Sequence, residues 1–207
     1  MPSPEGGAPP ADPTQAPHSI TLPFFDSPEF TPRWIDPEDL PDDFHTIPSF
    51  TLYNQRGETV TEAALDGNIT VVDFFFTACN GICPRLTQSM ARIDAAIDPD
   101  ADFVLLSHSV TPERDTPEVL QSWAEAKGVR SDRWHLLTGE RSTIYALGRS
   151  AYFIEESLGL EKNPDDFLHT ENMVLLDRSR RIRGVYNGVN KASVSQLTKD
   201  AQALLAR

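Results

Sequence analysis

An α/β domain, built as one mixed sheet with helices on both faces, is the fold class that three observations predict. Residues 69–76 read ITVVDFFF, a continuous apolar run expected of a strand covered on both sides. From there strand-like runs alternate with amphipathic stretches, the pattern of a sheet sandwiched between helices. Twelve of the 17 prolines fall within residues 1–48, so regular structure is expected to follow them.

Three parts emerge along the chain. Residues 1–21 are rich in Pro, Ala and Gly and read as a flexible tether with almost nothing to bury. Residues 22–45 carry Leu22, Phe24, Phe25, Phe30, Trp34 and Ile35, too apolar for a pure linker. They are expected to form a strap packed on the domain surface, with a partner-binding arm as the alternative. Residues 46–207 are the domain itself. There, Ser49–Tyr53 alternates like a strand, residues 54–58 turn, and Thr59 begins a return strand. After the 69–76 strand, residues 84–97 predict a helix with Leu86, Met90, Ile93 and Ile97 on one stripe. Phe103–Leu106 is a second buried strand. Thr116 caps a helix with Pro117 at its first position, and Gly128 stops it after Lys127. Trp134–Leu137 is a short strand and 141–149 a helix. Met173–Leu176 and Arg181–Tyr186 flank a polar turn, and a last helix runs over 193–205. No internal repeat is visible.

Charge narrows the range of partners. Lys and Arg number 18 against 31 Asp and Glu, a net charge of −13. Phosphate binding needs a basic face, so nucleic acid is excluded as a partner, and so is a polybasic membrane contact. No stretch reaches the roughly 18 apolar residues of a membrane helix. The Met1-Pro2-Ser3 start lacks the features of a signal peptide. A soluble chain is expected, with membrane contact only through an anchor outside these residues.

The two cysteines, too few for a disulfide framework, sit together as Cys79 and Cys83 in TACNGICP, directly after the central strand. Sites in open α/β sheets collect at the carboxyl ends of strands. Pro84 suits a first helical position, which places Cys83 at a helix N-terminus, where its thiol pKa is expected to fall. Asn80-Gly81 lets the loop turn so that the sulfurs converge. Converging thiols permit a disulfide or a shared soft metal such as Cu(I), and two inert buried residues are the bland alternative. Three intervening residues, against the two of thioredoxin-type pairs, suit a metal at least as well as fast exchange. Of the five histidines, His18, His45 and His135 read as surface or packing residues. His108 follows a buried strand and is read as a hydrogen-bonded structural residue, or else as support for the site. His169 ends a polar segment and immediately precedes a strand, so it is placed to reach the site from a loop.

TACNGICP, LSHSVTPERDTPEVL and FLHTENMVLLD resemble, in that order, three motifs of the Sco (SCO1/SenC) family. The resemblance runs over about residues 46–205. It implies a thioredoxin-like fold, and one copper held by Cys79, Cys83 and His169, as Cu(I) with Cu(II) also open. It further implies assembly of the dinuclear copper site of cytochrome c oxidase. The partners implied are the copper-site subunit of that oxidase and copper donor proteins, on the extracytoplasmic side of the membrane. A thiol-disulfide oxidoreductase acting on the oxidase subunit's cysteines is the alternative, and an inert interaction module a third reading. One position departs from the family pattern: Thr111 stands where an acidic residue usually precedes the proline, leaving Asp115 alone of the acidic pair.

Overall fold

The protein is described by a computed structural model covering residues 22–154 and 170–207. Residues 1–21, expected to form a tether and carrying His18, and residues 155–169, with His169, lie outside the described residues. A hairpin of β1 (Thr51–Tyr53) and β2 (Thr59–Thr61) precedes a five-stranded sheet. The sheet comprises β3 (Ile69–Phe75), β4 (Phe103–Ser109), β5 (Trp134–Leu137), β6 (Asn172–Leu176) and β7 (Ile182–Asn187). Its order is β5-β4-β3-β6-β7. The β3–β4 and β4–β5 pairs are parallel, β3–β6 and β6–β7 antiparallel. Among the described residues four α-helices accompany it: α1 (Cys83–Ala96), α2 (Pro117–Lys127), α3 (Arg141–Ala146) and α4 (Lys191–Leu205).

All seven residues of β3 and all seven of β4 are buried, as central strands flanked on both faces must be. Alternate residues feed two cores. Val71, Phe75, Leu105 and Leu175 pack against Leu86, Met90 and Ile93 of α1, Leu120 of α2 and Leu197 of α4. Val72, Phe74, Leu106 and Val174 pack against Ile144 of α3, Tyr152 and the hairpin residues Leu52 and Val60. Each large side chain so buried contributes roughly 1.5–3 kcal/mol.

Local chemistry sets the boundaries. Thr116 caps α2 by accepting the Val119 N–H, and Gly128 ends it at φ 74°, in the left-handed region glycine enters without strain. Helix α4 starts two residues earlier than predicted, because the Asn190 side chain accepts the N–H groups of Ala192 and Ser193. Strand β4 runs three residues beyond its predicted end. Ser107, His108 and Ser109 read as polar but are buried: the Trp134 indole donates to Ser107 Oγ at 3.0 Å, and Ser109 Oγ donates to Asp115 at 2.6 Å. The helix predicted over 141–149 is α-helical only to Ala146 and then widens into a π-turn over Leu147–Ala151.

Each sheet edge is contacted by another segment of the chain. At β7, Phe25 N–H donates to Ile182 O (3.0 Å). At β5, the Gln55 side chain accepts from Leu136 N–H and donates to Trp134 O, both at 2.9 Å. The aromatic residues of the strap divide. Phe24 is 1% exposed, beneath the Arg183 guanidinium at 3.8 Å from its ring centroid. Arg183 also donates to Leu22 O and Pro23 O, binding the strap to β7. Trp34, expected to pack, is 40% exposed, while Phe24 packs edge-on against Phe44.

Candidate functional site

The turn between β3 and α1 carries both thiols. Cys79 N–H donates to Phe76 O (3.2 Å), a turn that redirects the chain after the strand. Cys83 is the first residue of α1. Ile82, at the N-cap, offers no side-chain acceptor. Instead the Cys83 N–H points at Cys79 Sγ, 3.4 Å away, so a sulfur takes the place of the usual capping oxygen. Both cysteines are free thiols, Cys83 buried and Cys79 partly exposed. They border a cleft of about 400 Å³ whose walls include Phe75, Phe76, Ile82, Val110 and Thr170.

The two thiols differ in acidity, and not in the way the sequence suggests. Burial alone would raise the Cys79 thiol. The Cys83 thiol and the N–H groups of Cys83, Gly81 and Ile82 outweigh that and lower it. Cys83, expected to be the acidified one, is pushed up to about 12 by burial, by its donation to Cys79 and by the charges of Cys79 and Asp73. The start of the helix therefore acidifies the cysteine of the preceding loop, because the backbone N–H groups of the helix start and loop face Cys79 Sγ.

Asp73, read above only as part of an apolar run, is 2% exposed with Oδ1 unpartnered. Burial raises its carboxyl to about 7. A single acid inside an otherwise apolar strand that leads into a cysteine loop was the signal available in the sequence.

A second carboxylate lies at the carboxyl ends of β3 and β4. Asp115 accepts from Thr77 N–H (3.1 Å), Thr77 Oγ1 (2.5 Å), Ser109 Oγ (2.6 Å) and Thr111 Oγ1 (3.1 Å). Thr111 thus meets Asp115 as a neutral donor.

His108 is neither hydrogen-bonded nor near the thiols. It points into the opposite core, stacked on Phe74 with centroids 4.9 Å apart, and neither ring nitrogen has a partner in hydrogen-bonding geometry. Burial depresses it to about 3, the Asp73 main chain offsetting this only in part. His45 meets Ala151 O at 2.8 Å and His135 meets the Asn54 amide at 3.2 Å, both packing roles. Among the described residues no cluster of three or more His, Cys, Asp or Glu side chains forms a metal cage. Two soft thiols at one turn suit Cu(I) as cargo. No described helix is long and apolar enough to cross a membrane.

The family model described as SCO1/SenC matches residues 38–206. The chain belongs to this family. Its fold is thioredoxin-like. A Bacillus subtilis relative named SCO1 protein homolog is 28% identical over 164 residues, covering 77% of this chain and 82% of its own. A solved structure of BsSco is described as showing a disulfide switch in a member of the Sco family of cytochrome c oxidase assembly proteins. It matches with a TM-score of 0.66 and 27% identity, over 78% of this chain and 94% of that one. Arabidopsis thaliana ScoI, solved with copper bound, matches at a TM-score of 0.60 and 25% identity, over 77% and 97% of the two chains.

Proposed function

We propose that this Sco chain is a copper carrier that takes one Cu(I) on Cys79 and Cys83, with His169 as third ligand. The observation that supports it is the pair of free thiols converging at one turn, in a family with a copper-bound member. Cys79, already acidified, yields its proton readily. Cys83 surrenders its own only to a partner that replaces it, as a soft cation does. His169 lies outside the described residues, and its role rests on sequence resemblance alone. The recipient is the copper-site subunit of cytochrome c oxidase, supplied through copper donor proteins, and the work takes place outside the cytoplasm. The oxidase as recipient follows the description of BsSco as a member of a family of cytochrome c oxidase assembly proteins, and the donors and compartment rest on the sequence resemblance.

A thiol-disulfide exchange function is favoured by a separate observation. An acidified, partly exposed thiol beside a buried, high-pKa one is the asymmetry of an attacking and a resolving cysteine.

Anaerobic Cu(I) titration of the reduced protein tests the first reading. One copper per chain is expected. A thousandfold excess over the dissociation constant should stabilise the fold by about 4 kcal/mol in a melting assay. Cys79→Ala, Cys83→Ala and His169→Ala should each lose most of that gain, and His135→Ala should keep it. If His169→Ala retains the full shift, the three-ligand site is wrong and the exchange reading leads.

A further inference from the structure

The turn that delivers Cys79 has Thr77 and Ala78 as its central residues, closed by Cys79 N–H on Phe76 O. Asp115 grips the first of them at two points: Oδ2 accepts the Thr77 N–H and Oδ1 the Thr77 hydroxyl. The remaining donors come from elsewhere in the fold, Ser109 from the end of β4 and Thr111 from the loop before α2. Asp115 is 1% exposed, and none of the four donors is a cation. Two-point capture fixes both the peptide plane and the side-chain rotamer of Thr77, which one bond would leave free to pivot. A charge buried for stability alone is commonly paired with an opposite charge. Here it is spread over neutral donors from three segments that meet where the cysteine turn leaves the sheet.

We infer that Asp115 is a positioning residue for Cys79, acting through Thr77. It sets the direction in which the turn departs from β3. The Cys83 N–H at the start of α1 then points at Cys79 Sγ, 3.4 Å away. Thr111 is part of the device. Its hydroxyl completes the donor set, whereas an acidic side chain there would press a second carboxylate against the first. The inference deepens the copper reading and rests on it for the affinity arm of its test. The thiol arms stand without it.

The variants are Thr77→Val, Thr77→Ser, Asp115→Asn and the double variant Thr77→Val/Asp115→Asn, in the full chain. Three readouts apply: Cu(I) affinity by chelator competition, the rate of Cys79 alkylation at fixed pH, and the reduction potential of the Cys79–Cys83 pair. Loss of a group that orients a metal ligand typically lowers affinity about 10- to 100-fold. Thr77→Val should fall at least tenfold in Cu(I) affinity and slow in alkylation, while Thr77→Ser, which keeps the hydroxyl, stays at the wild-type value. On the thiol readouts Asp115→Asn should match Thr77→Val, and the double variant should be no worse than either single one, since both reach Cys79 through the Asp115–Thr77 contact. A lower melting temperature with all three thiol readouts unchanged would overturn the inference, as would independent, additive losses. If wild type takes no Cu(I), the copper reading fails while alkylation and potential still decide the role of Asp115. If Asp115→Asn does not fold, the Thr77→Val and Thr77→Ser pair carries the test.

Discussion

His108 and Ser109 are neighbours on β4 and face opposite sides of the sheet, into regions that treat polar atoms differently. Around Ser109 lies Asp115, with four donors. Around His108 lie Phe50, Phe74 and Tyr152, and neither the imidazole nor the Tyr152 hydroxyl finds a partner. Polar atoms persist in a core either because they hold something in place or because their bulk fills space well enough to offset the desolvation. The Ser109 side belongs to the first kind and the His108 side to the second. Removing polarity should therefore damage one region and spare the other.

The largest effect is expected at Asp115. Asp115→Ala strands the buried Ser109 hydroxyl and three half-buried donors of Thr77 and Thr111, so a loss of about 3 kcal/mol should appear in urea denaturation. A loss below about 1 kcal/mol would erase the contrast between the two regions.

The next effect is a pH dependence. His108 sits at about 3 in the folded chain, below the ordinary value near 6.5, so between those limits the unfolded chain binds the extra proton. Its contribution therefore falls on acidification, by about 2 kcal/mol between pH 7 and pH 5. Asp73, raised to about 7 from 3.8, has the opposite sign. The folded chain holds its proton first, so stability rises as pH falls below 7 until the unfolded group also protonates near 3.8. The two slopes offset in wild type. His108→Leu should gain stability from pH 7 to pH 5, and Asp73→Asn should lose it. Parallel profiles for wild type and both variants would contradict the burial assigned to these groups.

Arg183 sharpens the comparison from a distance. It is buried and fully engaged with Leu22 O, Pro23 O and Asp177, but remote from the thiols. Arg183→Met should lose about 1–3 kcal/mol and speed proteolysis within residues 22–45, with Cys79 alkylation unchanged. A slowed alkylation would mean that full engagement anywhere, and not engagement beside the turn, governs the thiols. The smallest change is Tyr152→Phe, which deletes an orphan hydroxyl. It should lie within about 1 kcal/mol of wild type by thermal melting, on the stabilising side.

The sheet was legible because its central strand is apolar throughout and its helices carry one-sided stripes. The limits of α2 followed from Thr116, Pro117 and Gly128, whose backbone preferences are local. Ser107-His108-Ser109 hid the end of β4, since partners 6 and 27 residues away in sequence make those polar side chains burial-competent. At the site, the pairing of Cys79 with Cys83 was visible from spacing, but the order of their acidities was not. A helix N-terminus acidifies whichever sulfur its N–H groups face, and that direction is set by the Asp115–Thr77 contact. Asp115 itself was noticed only for what was missing beside it.

Gln55 stands at the outer margin of β5 as a one-residue counterfeit of a neighbouring strand, with its carbonyl and amide spaced to meet Leu136 and Trp134. At the far margin the main chain of Phe25 meets β7 at Ile182. Among the described residues, the β5 rim thus offers no open row of peptide groups for a foreign strand to zip onto, whereas β7 is covered by a main-chain bond only at its first residue. Strand-mediated clumping should consequently spare the β5 rim, with the net charge of −13 adding mutual repulsion. Gln55→Leu, which keeps the bulk and deletes both polar atoms, would open one rim and leave the cysteine turn untouched.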